Sequence, residues 1–411
     1  MNKSPRLVAL EVLNKIFINN SYSNITLDNA LKDTEGDKAF ISALVYGVCE
    51  RRITLDYLIN KHLTSKPKPK IYNILRLGAY QLIYMDKVPS SAAVNESVNL
   101  THDIKQDYYS KLVNAVLHKI DNDREIPDDL SVLYSVPENL LNMWIKQYTR
   151  EKVLTFLPSL LGRPPVFAVP NTLYLDNDEL SYELISEGID CEVQGDLVKI
   201  NSGLELDKVK SFSNGLFHIE DSSSYDCAVS LGAKEGETVL DVCSAPGGKA
   251  FTIAERMNNK GKLYSFDLYK NRLNLINIGA KRLGIEIIET SIQDASIYNS
   301  EMPLADRILC DVPCSGFGII RRKPEIKYKE LDSIKDLPNL QLEILSNSSR
   351  YLKNGGVLVY STCTLNKKEN EKVVNAFLEN NKGFSLDYMK TVFPSIEGGD
   401  GFFHAKLIKN K

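Results

Sequence analysis

The sequence predicts a multidomain protein with an all-α N-terminal bundle, a small α+β middle domain, and a C-terminal α/β domain. The last is Rossmann-like, with a mostly parallel sheet. Three observations carry this. Residues 1–125 place apolar side chains at helical spacing throughout. Residues 126–218 alternate short strand-like and helix-like runs. From 219 to 411, β-rich runs alternate with longer helical segments, the pattern of right-handed βα units feeding a parallel sheet.

The helical part opens with Leu7, Leu10, Leu13 and Phe17 on one face. Two later segments repeat the pattern: Ile71, Ile74, Leu75, Ala79 and Leu82, then Leu112, Val113, Val116, Leu117 and Ile120. Pro67, Pro69 and Pro89 end or open helices. Basic side chains gather at Arg51, Arg52, Lys61, Lys66, Lys68, Lys70 and Arg76; a solvated face and an RNA contact both remain open for them. In the middle part a helix bearing Leu140, Leu141, Trp144, Ile145 and Tyr148 precedes Arg163-Pro164-Pro165. Strands are expected at 166–169, 191–193 and 197–200, with a helix between the first two. Cys191 has no His or acidic partner at a recognisable spacing and reads as structural.

In the C-terminal part the first strand, Thr238–Leu240, ends in Asp241 and runs into a turn of small residues, Ser244 to Gly248. A strand, a glycine turn and a helix together bring backbone close to a ligand and present unpaired N–H groups to it. Neither G-x-G-x-x-G nor G-x-x-x-x-G-K-[ST] occurs, so dinucleotide and triphosphate chemistry are not indicated. Strand two, Lys262–Phe266, ends in Asp267; strand three, Glu286–Glu289, precedes Asp294. Strand four, Arg307–Cys310, ends in Asp311, and strand five, Gly356–Tyr360, ends in Ser361-Thr362-Cys363-Thr364. The tail, from Gly398-Gly399-Asp400-Gly401 into FFHAKLI, reads as an edge hairpin. Ligands of such sheets bind beyond the strands' carboxyl ends. Four acids and a thiol at those ends suggest an adenosine-containing cofactor, with a strand-two acid suited to ribose hydroxyls.

Composition sets the outer bounds. The 411 residues are 43% hydrophobic and 25% charged, as in a globular protein, and the formal net charge is −3. That balance argues against indiscriminate coating of nucleic acid, though a local basic surface could bind RNA. No apolar run approaches the roughly 18 residues of a membrane span, and the N-terminus lacks a secretory pattern, so a cytoplasmic location is expected. Seven cysteines without a C-x-x-C pair disfavour both disulfide scaffolds and zinc ribbons, and no metal site is expected.

The strings DVCSAPGGKA, DVPCSG, RRKPEIK, STCT and DGFFHAKL carry a resemblance to the RNA cytosine-5 methyltransferases that use S-adenosyl-L-methionine. The chain specifically resembles the Sun/Fmu/RsmB family acting on 16S ribosomal RNA, within it the cytosine 967 class. GVCERRITLDYLI, LRLGAYQLIYMDKVPSSAAVNESV and KLVNAVL are similar to the NusB-like RNA-binding domain of that family. The resemblance implies Cys363 as the nucleophile, Cys314 as the second cysteine that helps product release, and Asp311 as an acid serving both cofactor and target base. It further implies a methionine-end cofactor loop of Cys243, Ser244, Ala245, Pro246, Gly247, Gly248 and Lys249. Asp267 would take the ribose and Asp294 would lie near the adenine. Val312, Ser244 and Thr364 stand where the family more often has Ala, Ala and Ser, all small changes.

The chemistry suits those residue types. C5 of cytosine is a poor nucleophile until C6 is attacked, and a thiolate is the strongest side-chain attacker near neutral pH. A free thiol has a pKa of roughly 8.5, so the attacker needs a cationic neighbour, with the cofactor's own sulfonium, Lys249, and the run Arg321, Arg322 and Lys323 as candidates. The target base must be unpaired or extruded. Arg321, Arg322, Lys323, Lys327 and Tyr328 are expected near the sheet's carboxyl edge, holding the RNA. A monomer is expected. The rival readings are a transfer-RNA methyltransferase or one acting at another ribosomal position, a non-catalytic RNA-binding factor, and a methyltransferase for small molecules or proteins. The last has no need of two strand-end thiols.

Overall fold

A computed structural model describes every residue except 1, 2, 33 and 202. It divides into two compact units, 1–162 with 320–331, and 163–319 with 332–411. Residues 163–218 thus fall in the same unit as the C-terminal domain.

The first unit is helical because its apolar side chains recur on helical faces and its helix starts are capped. Ser4 accepts from the Leu7 N–H ahead of Pro5–Asn19, and Asp37 from the Phe40 N–H ahead of Lys38–Glu50. Helix Pro69–Tyr84 is buried almost all round, the mark of a central helix. It carries Arg76, whose guanidinium makes paired hydrogen bonds to Asp56 at 2.6 and 2.7 Å and lies over the rings of Phe17 and Tyr72. Arg76 is therefore an internal ion-pair residue, not part of a basic surface. Lys61 pairs with Asp123 and Arg51 with Glu50, whereas Lys66, Lys68 and Lys70 stand exposed before and at the start of the central helix.

The segment 320–331 completes this unit. Its short 3-10 helix, Pro324–Tyr328, buries Ile326 and Lys327. Lys327 Nζ donates to the Glu50 carbonyl at 2.6 Å, and burial pulls its pKa down to about 7. The Tyr328 hydroxyl donates to the Cys49 carbonyl at 3.0 Å, under the Arg52 guanidinium. Glu325 accepts from both the N–H and the hydroxyl of Ser23. Lys327 and Tyr328 are thus enclosed within the helical unit rather than held out toward RNA as the sequence suggests. Their apolar bodies pack into the helical unit and their polar tips cap its carbonyls.

The second unit holds two sheets. Strands β1 (Val166–Pro170), β2 (Cys191–Gln194), β3 (Leu197–Ile200) and β4 (Phe217–Ile219) form an antiparallel sheet in the order β2-β3-β1-β4. The second sheet comprises β5 (Thr238–Asp241), β6 (Lys262–Asp267), β7 (Ile288–Ile292), β8 (Ala305–Asp311), β9 (Leu352–Thr362), β10 (Phe384–Val392) and β11 (Phe402–Lys409). Its order is β10-β11-β9-β8-β5-β6-β7, parallel from β9 to β7 and antiparallel at β11 and β10. The expected tail hairpin is present, with β10 as the edge and β11 inserted beside β9.

Alternation along the central strands fills both faces of the sheet. Val239, Leu309 and Val359 pack on one side with Phe251 and Ile276; Leu240, Ile308, Cys310, Leu358 and Tyr360 pack on the other with Leu345 and Phe377. The small sheet is tied to helix Lys270–Leu283 by specific bonds. Arg282 donates to the carbonyls of Phe212 and Phe217, and Asn171 to that of Leu283. No described helix is long and apolar enough to cross a membrane.

Candidate active site

The chain runs β5 to β6 to β7 on one side and β8 to β9 on the other, so the strand order reverses between β5 and β8. A ligand crevice forms at such a reversal, beyond the strands' carboxyl ends. Here it opens as a cleft of about 220 Å³ lined by Glu220, Ser224, Asp241, residues 243–246, Gly248, Lys249 and Asp311. The turn after β5 is fixed by Ser244 N–H donating to the Phe266 carbonyl at 2.8 Å. Gly247 has φ 113°, a conformation open to glycine, and a Cβ there would stand 2.8 Å from the Phe251 ring.

Asp241 is 1% exposed, and neither of its oxygens has a hydrogen-bond partner among the described residues. Burial pushes its pKa up to about 7. A carboxyl raised this way favours the folded state while protonated in it, and the advantage fades as pH rises from the unfolded value of about 3.9 toward 7. Asp241 should therefore contribute a loss of stability to the ligand-free protein over that window, and Asp241→Asn should remove that contribution from melts recorded across pH; an unaltered slope would rule Asp241 out as a contributor.

Asp267 closes β6 and is 4% exposed. It accepts from the Tyr269 N–H and pairs with Arg272 at 3.0 Å, while Arg272 also donates to the Ala245 carbonyl at 2.7 Å. One arginine thus joins the turn to the second strand end. Asp294 follows β7, and its Oδ1 accepts from the N–H and hydroxyl of Ser296, which holds it in a local turn. Neither Asp267 nor Asp294 lines the cleft after β5.

On the other side of the reversal, β8 and β9 pair with Asp311 opposite Ser361. That register brings the two following loops together, and Cys314 Sγ lies 3.4 Å from Cys363 Sγ. The hydrogen bond with Cys363, and then burial, raise the Cys314 thiol well above its ordinary pKa. Asp311 is held from both sides, Oδ2 by Lys249 Nζ at 2.8 Å and Oδ1 by the Ser361 hydroxyl at 2.9 Å. Burial opposes the Lys249 charge, but Asp311 and Glu220 outweigh it and raise its pKa, so it remains an ammonium. Gly318 donates its N–H to the Cys363 carbonyl at 2.9 Å and accepts from the Gly401 N–H at 2.9 Å. A Cβ on Gly318 would stand 1.8 Å from the Gly401 carbonyl oxygen, so this approach requires glycine.

A family model described as 16S rRNA methyltransferase RsmB/F matches residues 228–408, and the NusB family model matches residues 3–122. The chain is 36% identical to the probable ribosomal RNA small subunit methyltransferase B of Bacillus subtilis, with 99% of each covered. The chain belongs to the ribosomal RNA small subunit methyltransferase B family. It is also 32% identical to the ribosomal RNA small subunit methyltransferase B of Shigella sonnei, covering 95% of this chain and 94% of that one. Among solved structures, the crystal structure of PH0851 matches with a TM-score of 0.83 at 26% identity, covering both chains entirely.

Methyltransferases of this family use S-adenosyl-L-methionine, and the residues present fit it. The cleft pairs an unpartnered buried carboxylate with a turn whose backbone a ligand can approach, and Asp267 offers carboxylate oxygens at the next strand end. Glu220 and Asp311 against Lys249 leave the cleft net negative even before Asp241 ionises, suited to a cationic ligand. The sequence assigns no role to Glu220, Ser224, Arg272 or Ser361, nor to the Gly318–Gly401 contact. Glu220 follows the short strand β4, and its placement by an acid at a strand end was the one signal available.

Proposed function

We propose that this protein transfers a methyl group from S-adenosyl-L-methionine to C5 of one cytosine in 16S ribosomal RNA, of the cytosine 967 class, through a covalent bond from Cys363 to C6. The observation that carries the reading is the pair of sulfurs 3.4 Å apart beside Asp311, beyond the ends of two adjacent parallel strands. Methyl transfer to nitrogen or oxygen needs no nucleophile of this kind; transfer to C5 does.

Within the pair, the STCT string of the family assigns Cys363 as the sulfur that attacks C6, with Cys314 as its neighbour at 3.4 Å. Asp311, oriented by Lys249 and Ser361, accepts from the exocyclic amine of the base and steadies the charge that moves through the ring. The cofactor supplies an electrophilic methyl carried on a sulfonium. Once solvent takes the C5 proton, the C5–H electrons re-form the C5=C6 bond, the Cys363–C6 bond breaks with its electrons on sulfur, and the Cys314 S–H stabilises the departing thiolate by hydrogen bonding to it. Residues 243–249 and Asp267 would hold the cofactor, with Asp294 as the residue for its adenine. Asp267→Ala should weaken binding of S-adenosylhomocysteine by about 1.5–3 kcal/mol, roughly 10- to 150-fold in Kd by calorimetry; unchanged affinity would displace Asp267 from the cofactor.

The NusB-like helical unit and the small-subunit names of the relatives favour 16S RNA over transfer RNA as substrate. Lys66, Lys68 and Lys70 are among the exposed cations of that unit and stand close together for phosphate contact. The enzyme acts in the cytoplasm, as a monomer, on an unpaired or flipped cytosine. Bisulfite sequencing of ribosomal RNA from cells with and without the protein tests the target. One 16S cytosine should lose protection when the protein is absent; loss confined to transfer RNA would favour the alternative substrate.

A further inference from the structure

Behind the thiol pair lies an acid that touches neither sulfur nor the cleft. Glu369 is 0% exposed, yet four donors converge on its carboxylate. Oε2 accepts from the Ser315 N–H at 2.8 Å and from Gln341 Nε2 at 3.0 Å. Oε1 accepts from the Ser315 hydroxyl at 2.6 Å and from Asn366 Nδ2 at 2.8 Å. Gln341 Nε2 also donates to the Pro313 carbonyl at 2.9 Å, and the Tyr360 hydroxyl donates to the Glu369 carbonyl at 2.6 Å.

Ser315 directly follows Cys314, and Thr364 directly follows Cys363. Their hydroxyls meet at 2.7 Å, so Thr364 can donate to Ser315 while Ser315 donates to Glu369. One buried carboxylate therefore grips both sulfur-bearing loops, the first through Ser315 and the second through Asn366 and, by way of the Ser315 hydroxyl, Thr364. An amide in its place has one acceptor oxygen, and its NH₂ would face donors. Van der Waals packing alone would leave each loop free to shift, whereas these bonds fix direction as well as distance.

We propose that Glu369 is the positioning residue that sets the separation and orientation of Cys314 and Cys363. The proposal rests on the reading of Cys363 as the attacking thiol, but its geometric content is testable without methyl transfer. Folded wild type, Glu369→Gln and Glu369→Ala are treated with diamide. Formation of the Cys314–Cys363 disulfide is then timed by mass spectrometry of unreduced peptides. The two thiols lose two protons and two electrons, and the azo bond of diamide is reduced to the hydrazine.

Glu369→Ala should slow the disulfide by about tenfold or more and lower kcat for methyl transfer by a similar factor, with KM for RNA nearly unchanged. Glu369→Gln should fall between it and wild type. S-adenosylhomocysteine affinity within about twofold of wild type establishes that the variant is folded, since the hydrogen bonds of the Glu369 carboxylate go to Ser315, Gln341 and Asn366, none of which lines the cleft. If Ala does not meet that criterion, Gln decides. A disulfide rate within twofold of wild type, even with a lowered melting temperature, would make Glu369 merely structural and overturn the proposal. Slowed disulfide formation with unchanged kcat would uphold the positioning by Glu369 and count instead against the catalytic reading of the pair.

Discussion

Cys363→Ala abolishes methyl transfer, by roughly 10⁴-fold or more, while S-adenosylhomocysteine still binds with near wild-type affinity. The loss is large because no other group can activate C5: with C6 unattacked, the ring carbon has too little electron density to displace a methyl from sulfonium. Cofactor binding persists because Cys363 does not line the cleft after β5. Single-turnover assays with labelled cofactor check the first part and calorimetry the second. Turnover within tenfold of wild type would remove Cys363 as nucleophile.

Cys314→Ser accumulates a covalent protein–RNA adduct, visible as a slow band on a denaturing gel. A serine hydroxyl preserves the small volume beside Cys363, so attack and transfer proceed. It changes the group that faces the departing sulfur at 3.4 Å, and breakdown of the Cys363–C6 bond slows. The adduct should require cofactor for its methylated form and should be absent from the Cys363→Ala, Cys314→Ser double variant. No adduct in the single variant would leave Cys314 as a packing residue.

The catalytic sheet is legible in the sequence where its strands are buried on both faces. Strands β5, β6, β8 and β9 read as short apolar runs because helices cover them, and their terminal acids and Cys363 follow directly. Legibility fails at the edges. The third strand is displaced, expected at 286–289 and found at 288–292, because β7 is a partly exposed edge with mixed polarity. Strand β10 is likewise half exposed and gives no apolar run.

Tertiary facts are the other gap. Nothing local marks Arg76 as enclosed by Asp56 and two rings, and helical spacing leaves its face ambiguous. The excursion of 320–331 into the helical unit reverses the expectation for Lys327 and Tyr328, whose charge and aromatic character suit RNA contact equally well on a surface. The grip of Glu369 on Ser315 spans 54 positions, far beyond any spacing rule.

The most direct measurement of the central claim is to digest the Cys314→Ser adduct with protease and nuclease and locate the nucleotide by tandem mass spectrometry. A cytidine carrying an added methyl, bonded to the peptide containing Cys363, is the predicted result. A nucleotide on any other residue, or a base other than cytosine, would contradict it.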